Sequence, residues 1–407
     1  MYRASVDRER YTGEALRVAS EPPIMRQIWI TKSGPPEVLQ VREAPDPDPG
    51  DGQVRIRVKA AGINFADLMA RVGLYPDAPK LPCVVGYEVS GVIDAVGKGV
   101  TRVAVGDRVF GMPKFGGYTD TLVLNEAQAF KMPAAMSFEE AAALPVVYLT
   151  AHHMMMFTGN LRPRSRVLLH SAAGGVGLAA IQLAKTRQCE IFGIASKSKH
   201  AFIQEYGCQH PIDNDADYGA VIKELTGGRG VDLILDPVGG KSWTDGYELL
   251  APAGRIVAFG LSAAASGKSR SLLHALSQVI QVKKWSPMKL MDDNKAVQGV
   301  NMGHLFTELD MLIEQFESLV AMYDAGQIKP HVDRTFPFSE AALAHHYLHD
   351  RVRVRVAQAS CPWRARERRE TGERGMAGPD SAVAGRRAGA WRAPDRGRPR
   401  RDVSRIG

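Results

Sequence analysis

Val167-Leu-Leu-His-Ser-Ala-Ala-Gly-Gly-Val-Gly177 is an apolar stretch that runs directly into a glycine-rich turn. Its apolar residues Val167–Leu169 predict a β-strand, and Leu178–Lys185 predicts the helix that follows the turn. A second apolar run, Ile191–Ala195, comes at the spacing expected for the next parallel strand. This succession is typical of a parallel sheet covered by helices.

The glycines of this turn have distinct roles in a dinucleotide cradle. Gly174 allows the backbone to approach a pyrophosphate, and Gly177 allows the helix to pack closely on the strand. The helix N-terminus offers free N–H groups and the positive end of its dipole to phosphates. Ala172 stands where the usual fingerprint has its first glycine, and such turns also arise for steric reasons alone. The sequence predicts a cradle formed by Ala173, Gly174, Gly175, Val176 and Gly177.

The end of the second strand indicates which nicotinamide cofactor is favoured. Enzymes that use NAD place Asp or Glu there to bind the ribose hydroxyls. This chain has Ser196, followed by Lys197, Lys199 and His200, which would attract a 2′-phosphate. We therefore predict NADPH as the cofactor, with Ser196 and Lys199 near the phosphate. The alternative is a solvated basic helix start with no ligand.

Composition narrows the class of protein. A chain of 407 residues with 45% hydrophobic content suits two or three domains with a sizeable core. No run of 18 apolar residues and no signal-peptide pattern occur, so we expect a cytoplasmic protein. The 4 cysteines are scattered, which indicates neither a disulfide framework nor a zinc knuckle.

The net charge of +8 is concentrated at one end of the chain. Residues 351–407 carry 16 Arg and 6 acidic residues, a local +10, which leaves −2 for the first 350 residues. No specific nucleic-acid binding is expected from this distribution.

We expect residues 358–407 to be a disordered Arg-rich tail, and a shifted reading frame would explain its composition. Residues 1–24 are expected to be a flexible extension, with Met25 as an alternative natural start.

The rest of the chain divides into a β-rich part and a βα part. From Arg26 to Pro145, short alternating strands are broken by Gly and Pro. They are predicted at Gln27–Thr31, Val38–Glu43, Gln53–Ala61, Glu88–Val96, Arg108–Gly111 and Gly117–Leu124. The βα part has strands predicted at Val167–His170, Ile191–Ala195, His210–Ile212, Val231–Asp236 and Arg255–Gly260. Helices are predicted at Glu308–Asp324 and Ser339–His349, and a half-buried strand at Arg351–Val356.

Several motifs resemble one known family. They are Ala61-Gly-Ile-Asn-Phe-Ala-Asp67, Gly86-Tyr-Glu88, Gly106-Asp-Arg-Val109, Gly116-Gly-Tyr118, Leu144-Pro145, Leu149-Thr-Ala151, Asp236-Pro-Val-Gly-Gly240 and Gly326-Gln-Ile-Lys-Pro330. With the cradle, they resemble the medium-chain dehydrogenase/reductase superfamily, its zinc-independent quinone oxidoreductase branch, and within it the vesicle amine transport protein group. The resemblance implies an α/β chain: a GroES-like β domain at 25–150, with 325–357 returning to it, and a doubly wound Rossmann domain at 151–324.

The resemblance also bears on metal binding and on the reaction. Zinc alcohol dehydrogenases of the superfamily take ligands at positions that are Asn64 and Tyr87 here, so we expect no bound metal. Without a Lewis acid, alcohol oxidation is disfavoured, whereas quinones and activated enones accept hydride readily. We therefore expect an NADPH-dependent, zinc-independent reductase of a small-molecule quinone or enone.

Individual roles follow from the resemblance alone. Asn64 and Tyr75 would line the substrate cleft, Asp67 would orient the loop, and Tyr148 with Thr150 would border the nicotinamide. Asn214, Phe259 and Gly260 would contact the cofactor, although relatives commonly have Tyr where Asn214 stands. Asn64 has the alternative of a turn residue, and Tyr75 that of a packing aromatic. Glu88 is expected to serve packing or hydrogen bonding, and the pairs His152-His153 and His345-His346 to pack rather than bind metal.

A second function stays open. The insertion Ser262–Lys295 contains an apolar stripe, Leu272, Leu273, Leu276, Val279 and Ile280, flanked by basic residues. Such a stripe would suit a lipid- or membrane-associated regulatory protein that keeps the fold with little turnover, although most stripes of this kind pack onto the protein itself. Val297–Gly303 resembles the strand through which relatives pair, so a homodimer is also expected.

Overall fold

The computed structural model describes residues 24–262, 282, 284–353 and 363–364. The predicted flexible extension, the apolar stripe of the insertion and nearly all of the Arg-rich tail lie outside the described residues.

The β-rich part contains a two-stranded antiparallel sheet and a five-stranded antiparallel sheet of order β6-β3-β4-β5-β7. Its strands are β1 Ile24–Ile30, β2 Leu39–Pro45, β3 Gln53–Ala61, β4 Val89–Val96, β5 Arg108–Gly111, β6 Thr121–Asn125 and β7 Ala129–Lys131. Strand β3 shows why the sheet forms, because its alternate residues Val54, Ile56 and Val58 are all buried. Hydrophobic burial on one face therefore sets the register of the sheet.

Two predicted details of this part differ from the structure. The short strand β7 was not predicted, since three residues carry too little periodicity. The predicted strand Gly117–Leu124 begins only at Thr121, because the backbone before it bonds to a loop: the Tyr118 N–H donates to the Val85 carbonyl at 2.9 Å. This bond ties two loops together beside the sheet.

One helix lies within this part, between β3 and β4, and two helices follow its last strand. They are α1 Phe65–Arg71, α2 Phe138–Ala142 and α3 Pro145–His152. Helix α3 begins with a proline, which suits the first turn because its missing N–H would have no partner there. A π-helical turn, His153–Thr158, follows it directly. Tyr148 and Leu149 of α3 pack in the same hydrophobic core as Val167 and Leu169 of the βα part, so this helix contacts both parts of the fold.

Six parallel strands form the second sheet, in the order β10-β9-β8-β11-β12-β13. They are β8 Arg166–Leu169, β9 Glu190–Ala195, β10 His210–Asp213, β11 Val231–Asp236, β12 Leu250–Ala258 and β13 Ala296–Gly299. Its helices are α4 Gly175–Thr186, α5 His200–Tyr206, α6 Tyr218–Leu225, α7 Lys241–Glu248, α8 Pro287–Asp293 and α9 Leu309–Asp324. Alternate residues of β8 face two different cores, Val167 and Leu169 one and Leu168 the other. The predicted doubly wound fold is confirmed, with the strand order reversing between β8 and β11.

The end of the described chain packs on the β-rich part. Strand β14, Phe336–Pro337, and helix α10, Ala341–Arg353, place Phe336 and Leu348 in its core. The predicted strand at Arg351–Val356 is wrong for 351–353, which continue α10, and 354–356 lie outside the described residues. Continuing an existing helix adds one hydrogen bond per residue, which the short Arg-Val alternation does not outweigh. Strand β15, Trp363–Arg364, pairs in parallel with β14 instead.

Strand β13 lies at one edge of the parallel sheet. It covers the first part of the predicted pairing segment Val297–Gly303, and Met302–His304 form a short 3₁₀ turn instead. The homodimer stays a prediction. Across the described residues, no helix combines the length and the apolar character that a membrane span requires.

Candidate functional site

The cradle lies where β8 passes into α4. Gly174 is extended, with φ −85° and ψ 170°, and caps the 12-residue helix that starts at Gly175. A Cβ atom added to Gly177 would lie 2.5 Å from the carbonyl oxygens of both Ser171 and Ala172. Only glycine therefore lets α4 start this close to the end of β8. The free N–H groups of the first turn of α4 suit a phosphate group.

The other predicted cofactor residues follow the carboxyl ends of three further strands. Ser196 follows β9, Asn214 follows β10, and Phe259 with Gly260 follows β12. The Asn214 N–H donates to the Ala195 carbonyl at 3.2 Å, which holds two of these ends together. The fold therefore brings the predicted cofactor residues to one edge of the sheet, where ligands of open α/β sheets bind.

The residues after β9 fit a phosphate rather than a free ribose. Ser196 caps a 3₁₀ turn, Lys197–Lys199, and its hydroxyl lies 3.4 Å from that of Ser198. The Lys199 ammonium lies 5.9 Å from the centre of the Phe202 ring, which keeps it beside the turn. Two hydroxyls and two ammonium groups at this position suit the 2′-phosphate of NADPH.

On the β-rich side of the site, Asn64 is held by a buried carboxyl group. Asn64 caps α1 and is only 7% exposed, and its Nδ2 donates to Glu88 Oε1 at 2.8 Å. The second oxygen, Glu88 Oε2, accepts the N–H of Val146 in the first turn of α3 at 2.8 Å. Glu88 thus fixes the Asn64 amide and ties it to the helix that spans both parts of the fold.

Asp67 fixes the same loop from the other side. Its Oδ2 accepts the Asn64 N–H at 2.7 Å and its Oδ1 accepts the Gly86 N–H at 3.1 Å. The resemblance implied that Asp67 orients the loop, and these bonds provide that role. Asp67 and Glu88 therefore hold the segment Gly86–Glu88 at both ends.

Aromatic side chains surround the residue between those ends. The rings of Tyr75 and Tyr87 meet edge to face, with centroids 6.2 Å apart, and Phe115 packs on Tyr87 at 5.4 Å. Tyr75 also reaches the βα part, since a Cβ atom added to Gly303 would lie 3.5 Å from the Tyr75 hydroxyl oxygen. The aromatic group therefore lies where the two parts of the fold meet.

A pair of exposed hydrogen bonds joins the two parts next to this group. Asp77 accepts from Asn301 Nδ2 at 3.3 Å and lies 3.1 Å from His304 Nε2. The His304 hydrogen bond is the main reason that the pKa of Asp77 lies below its usual range. We call these three residues the Asp77 clasp.

Tyr148 and Thr150 lie on α3, with Thr150 half-buried. The Tyr148 hydroxyl donates to the Lys329 carbonyl at 2.8 Å and accepts from Gln182 Nε2 at 2.8 Å. Tyr148 therefore has an acceptor for its hydroxyl proton within the protein. Its position beside the nicotinamide stays a prediction.

The two acidic residues of the site are completely buried. Burial raises the pKa of Glu88 to about 8 and that of Asp67 to about 7, although the hydrogen bonds that each accepts act in the opposite direction. The dominant cause is the loss of water around the charge. Near neutral pH the site therefore favours the protonated form of Glu88, whereas Asp67 is divided between its protonated and ionised forms.

We expect Glu88 to make folding stability depend on pH. The unfolded state loses this proton near pH 4.5 and the folded state near pH 8, so the stabilising effect of protonation falls as the pH rises between them. Glu88→Gln cannot titrate. The free energy of unfolding of the unaltered chain, minus that of the variant, should fall by about 1.4 kcal/mol per pH unit within this range. Denaturant titrations at several pH values measure it, and a constant difference would contradict the assignment.

Metal ligands do not cluster in the described part of the chain, where no group of three or more His, Cys, Asp or Glu side chains is placed to hold an ion. The histidine pairs serve internal hydrogen bonds. His152 bonds to Gln315 at 3.2 Å and His345 bonds to the Tyr118 hydroxyl at 3.1 Å. Burial lowers the pKa of His345 to about 3, which keeps this ring neutral.

Known proteins share both parts of this architecture. A family model for the alcohol dehydrogenase GroES-like domain matches residues 50–134, and one for zinc-binding dehydrogenases matches residues 175–318. The chain is 41% identical over 318 residues to the synaptic vesicle membrane protein VAT-1 homolog of Rattus norvegicus, covering 78% of each. The chain belongs to the medium-chain dehydrogenase/reductase superfamily. Within this superfamily it is a zinc-independent member close to the VAT-1 group.

Two oxidoreductases of the superfamily are also similar to the chain. A quinone oxidoreductase of Pseudomonas aeruginosa is 33% identical over 324 residues, covering 79% of this chain and 94% of the relative. The crystal structure of Escherichia coli quinone oxidoreductase complexed with NADPH superposes with a TM-score of 0.72 at 31% identity, covering 84% of this chain and 100% of that one. The chain therefore shares sequence and fold with superfamily members that are named as enzymes.

The zinc-binding description of the second family model refers to metal-dependent members of the superfamily. In this chain the equivalent positions hold Asn64, whose amide bonds to Glu88, and Tyr87, whose ring packs among aromatic residues. An amide and a phenol are poor ligands for zinc compared with thiolate and imidazole. The side chains at these positions agree with the zinc-independent branch.

Sequence reasoning missed how Tyr87 and Glu88 contribute to the site. Glu88 forms hydrogen bonds, as expected, but no pattern in the sequence indicated that one of them reaches Val146, 58 positions away. Gln182, which bonds to Tyr148, was not singled out at all. A polar residue in an otherwise apolar helix, as Gln182 is between Ile181 and Leu183, was the available signal.

Proposed function

We propose that the chain is an NADPH-dependent, zinc-independent reductase that transfers hydride to quinones or activated enones. The observation that carries the proposal is a site with two sides. A glycine cradle and a basic turn suit NADPH on one side, and hydrogen-bond donors that are poor ligands for zinc lie on the other. The cradle is fixed by Gly177, and the donors are held by Glu88 and Asp67. The similarity to NADPH-binding and quinone-reducing members of the superfamily supports it.

Cofactor and side chains have separate tasks in this proposal. When bound, NADPH would supply a hydride to the acceptor, two electrons with one proton, and solvent would supply the second proton. The first turn of α4 and Lys199 would hold the phosphates of the cofactor. Asn64 has a second amide hydrogen besides the one it donates to Glu88, and it can donate this hydrogen to the acceptor oxygen. The protein would then act by positioning and by stabilising charge on that oxygen.

The test of this function is a substrate assay on the full chain. We expect loss of NADPH absorbance with benzoquinone or cyclohexenone, and no reverse reaction with simple alcohols. Dialysis against a zinc chelator should leave the rate unchanged, because no side chain at the zinc position is a good ligand. Absence of turnover with both acceptor classes, or loss of turnover after dialysis, would contradict the proposal.

The preference for NADPH should depend on Lys199. We expect Lys199→Glu to weaken NADPH binding roughly tenfold, since it replaces an attractive charge by a repulsive one, and to affect NADH much less. Fluorescence titration with each cofactor measures this. Lys223→Glu is the control, because it makes the same charge change on α6, away from the turn after β9. Equal losses for NADPH and NADH would refute the placement of the 2′-phosphate.

The second candidate function is lipid-surface binding with little turnover. On α8, Met288 and Met291 are 75% and 72% exposed, and Lys284 and Lys289 lie nearby in the sequence. Exposed apolar side chains beside lysines suit the surface of an anionic membrane. Flotation with anionic liposomes, together with absent turnover, would favour this candidate over the reductase.

A further inference from the structure

Tyr87 occupies the most constrained position in the site. The residue before it, Gly86, donates its N–H to Asp67, and the residue after it, Glu88, accepts from Asn64. Gly86 has a φ of +100°, and its carbonyl accepts the Gly117 N–H at 3.0 Å. The backbone on both sides of Tyr87 is thus fixed by hydrogen bonds, so its ring has little freedom to move.

The ring of Tyr87 is packed, but its hydroxyl lacks a partner. Tyr87 is 8% exposed, and its hydroxyl oxygen is buried without any hydrogen bond among the described residues. The Tyr75 and Tyr87 phenols come close enough for a weak hydrogen-bonding interaction that counteracts the rise of the Tyr75 pKa, but their hydroxyls do not meet the distance and angles of a well-formed hydrogen bond. A buried hydroxyl without a partner destabilises the folded chain relative to one that is hydrogen-bonded. A ligand that reaches this hydroxyl would supply the missing partner.

The surroundings of this hydroxyl indicate what kind of ligand it would accept. Tyr75 and Phe115 provide flat apolar surfaces, which suit a ring or a conjugated chain. Burial raises the pKa of Tyr87 far above its usual range, so the phenol keeps its proton and acts as a donor. A protonated donor on a ring that packs among other aromatic rings fits the carbonyl oxygen of a flat, conjugated molecule.

We propose that the Tyr87 hydroxyl donates a hydrogen bond to the carbonyl oxygen of the acceptor, at the position where metal-dependent relatives hold a zinc ligand. This inference rests on the proposed reductase function and names a residue that acts directly on the substrate. Negative charge builds up on the carbonyl oxygen as hydride reaches the conjugated carbon, and a fixed donor stabilises that charge without reorganising. The proton that completes the product comes from solvent, so Tyr87 ends the reaction unchanged.

The test is Tyr87→Phe, which removes the hydroxyl and keeps the ring. We expect kcat with cyclohexenone to fall roughly 10- to 100-fold, because a hydrogen bond to a developing charge is lost, while NADPH affinity is unchanged. Binding of para-nitrophenolate, whose oxygen anion imitates the charged acceptor, should weaken by roughly tenfold. The midpoint of thermal unfolding should stay the same or rise, since the folded protein loses an unsatisfied buried hydroxyl.

Tyr247→Phe is the matched control. Tyr247 is completely buried, but its hydroxyl donates to Asp293 at 2.7 Å, outside the site. This variant should lower the midpoint of unfolding and leave kcat unchanged, the reverse of the pattern expected for Tyr87→Phe. A structural role for Tyr87 would make the two variants behave alike.

The possible outcomes separate this inference from the proposed function. An active chain whose Tyr87→Phe variant keeps full kcat and full affinity for para-nitrophenolate would overturn the inference and leave the reductase function intact. A chain that reduces neither acceptor class but binds para-nitrophenolate in a Tyr87-dependent way would remove the reductase function and support the donor site. If Tyr87→Phe unfolds at a clearly lower temperature, the hydroxyl has a partner within the protein, and the inference is wrong.

Discussion

Gly177→Val is expected to weaken NADPH binding by more than about 100-fold, which corresponds to about 3 kcal/mol. A Cβ atom at this position would lie 2.5 Å from two backbone carbonyl oxygens, and neither oxygen belongs to a side chain that can rotate away. Helix α4 would have to move off the end of β8, which displaces the N–H groups that would meet the pyrophosphate. Fluorescence titration of NADPH measures the affinity.

The control for this substitution is Gly299→Ala. Gly299 lies at the end of β13, and nothing lies within 4 Å of an added Cβ atom there. This variant should bind NADPH normally. Circular dichroism of the Gly177→Val variant establishes whether the chain still folds, and Gly177→Ala offers a smaller side chain if it does not. Unchanged affinity in a folded Gly177 variant would mean that the phosphates bind elsewhere.

The second large effect is expected for Glu88→Ala, which should lower the free energy of unfolding by about 3–5 kcal/mol. The substitution leaves Asn64 Nδ2 and the Val146 N–H without an acceptor in a fully buried place. Each unsatisfied donor costs about 1–3 kcal/mol, and the cavity left by the side chain adds to this. Chemical denaturation near pH 5, where proton uptake by Glu88 on folding costs little, measures the change.

Glu126→Ala is the control that tests whether burial causes the loss of stability expected for Glu88→Ala. One oxygen of Glu126 also accepts two backbone N–H groups, those of Thr101 and Arg102, both at 2.8 Å, but these bonds are exposed to solvent. Water can replace the lost acceptor there, so this variant should lose less than about 1 kcal/mol. Similar losses for both variants would contradict the view that Glu88 acts as a buried acceptor.

Local patterns predicted most of the fold. The alternation of apolar residues predicts β3, and the order of strand, turn and helix around Gly174 predicts α4. Both predictions succeed because the periodicity of burial depends on residues that are close in the sequence. The errors lie where local patterns are weak or compete. Strand β7 is too short to be periodic, and the Arg-Val alternation after 350 gives way to the continued helix α10.

Residues of the site could be predicted only where a local sequence motif determines their geometry. The cradle from Ala173 to Gly177 is such a case, because steric demands on glycine are local. The orientation of Asn64 depends on Glu88, and the position of Glu88 depends on Val146 in a different part of the fold. Contacts of this range arise only when the chain has folded, so no spacing in the sequence reveals them. The lack of a hydrogen-bond partner for the Tyr87 hydroxyl likewise results from packing and not from its neighbours in the sequence.

The Asp77 clasp has a consequence for how an acceptor molecule enters. Its side chains are partly exposed, 63% for His304 and 28% for Asp77, so its contribution is about 1 kcal/mol, roughly a fivefold bias toward the joined state. Thermal fluctuation overcomes a bias of this size continually. An acceptor molecule that approached from this side would therefore meet a contact that opens and closes without a trigger, while α3 and the shared hydrophobic core keep the two parts joined.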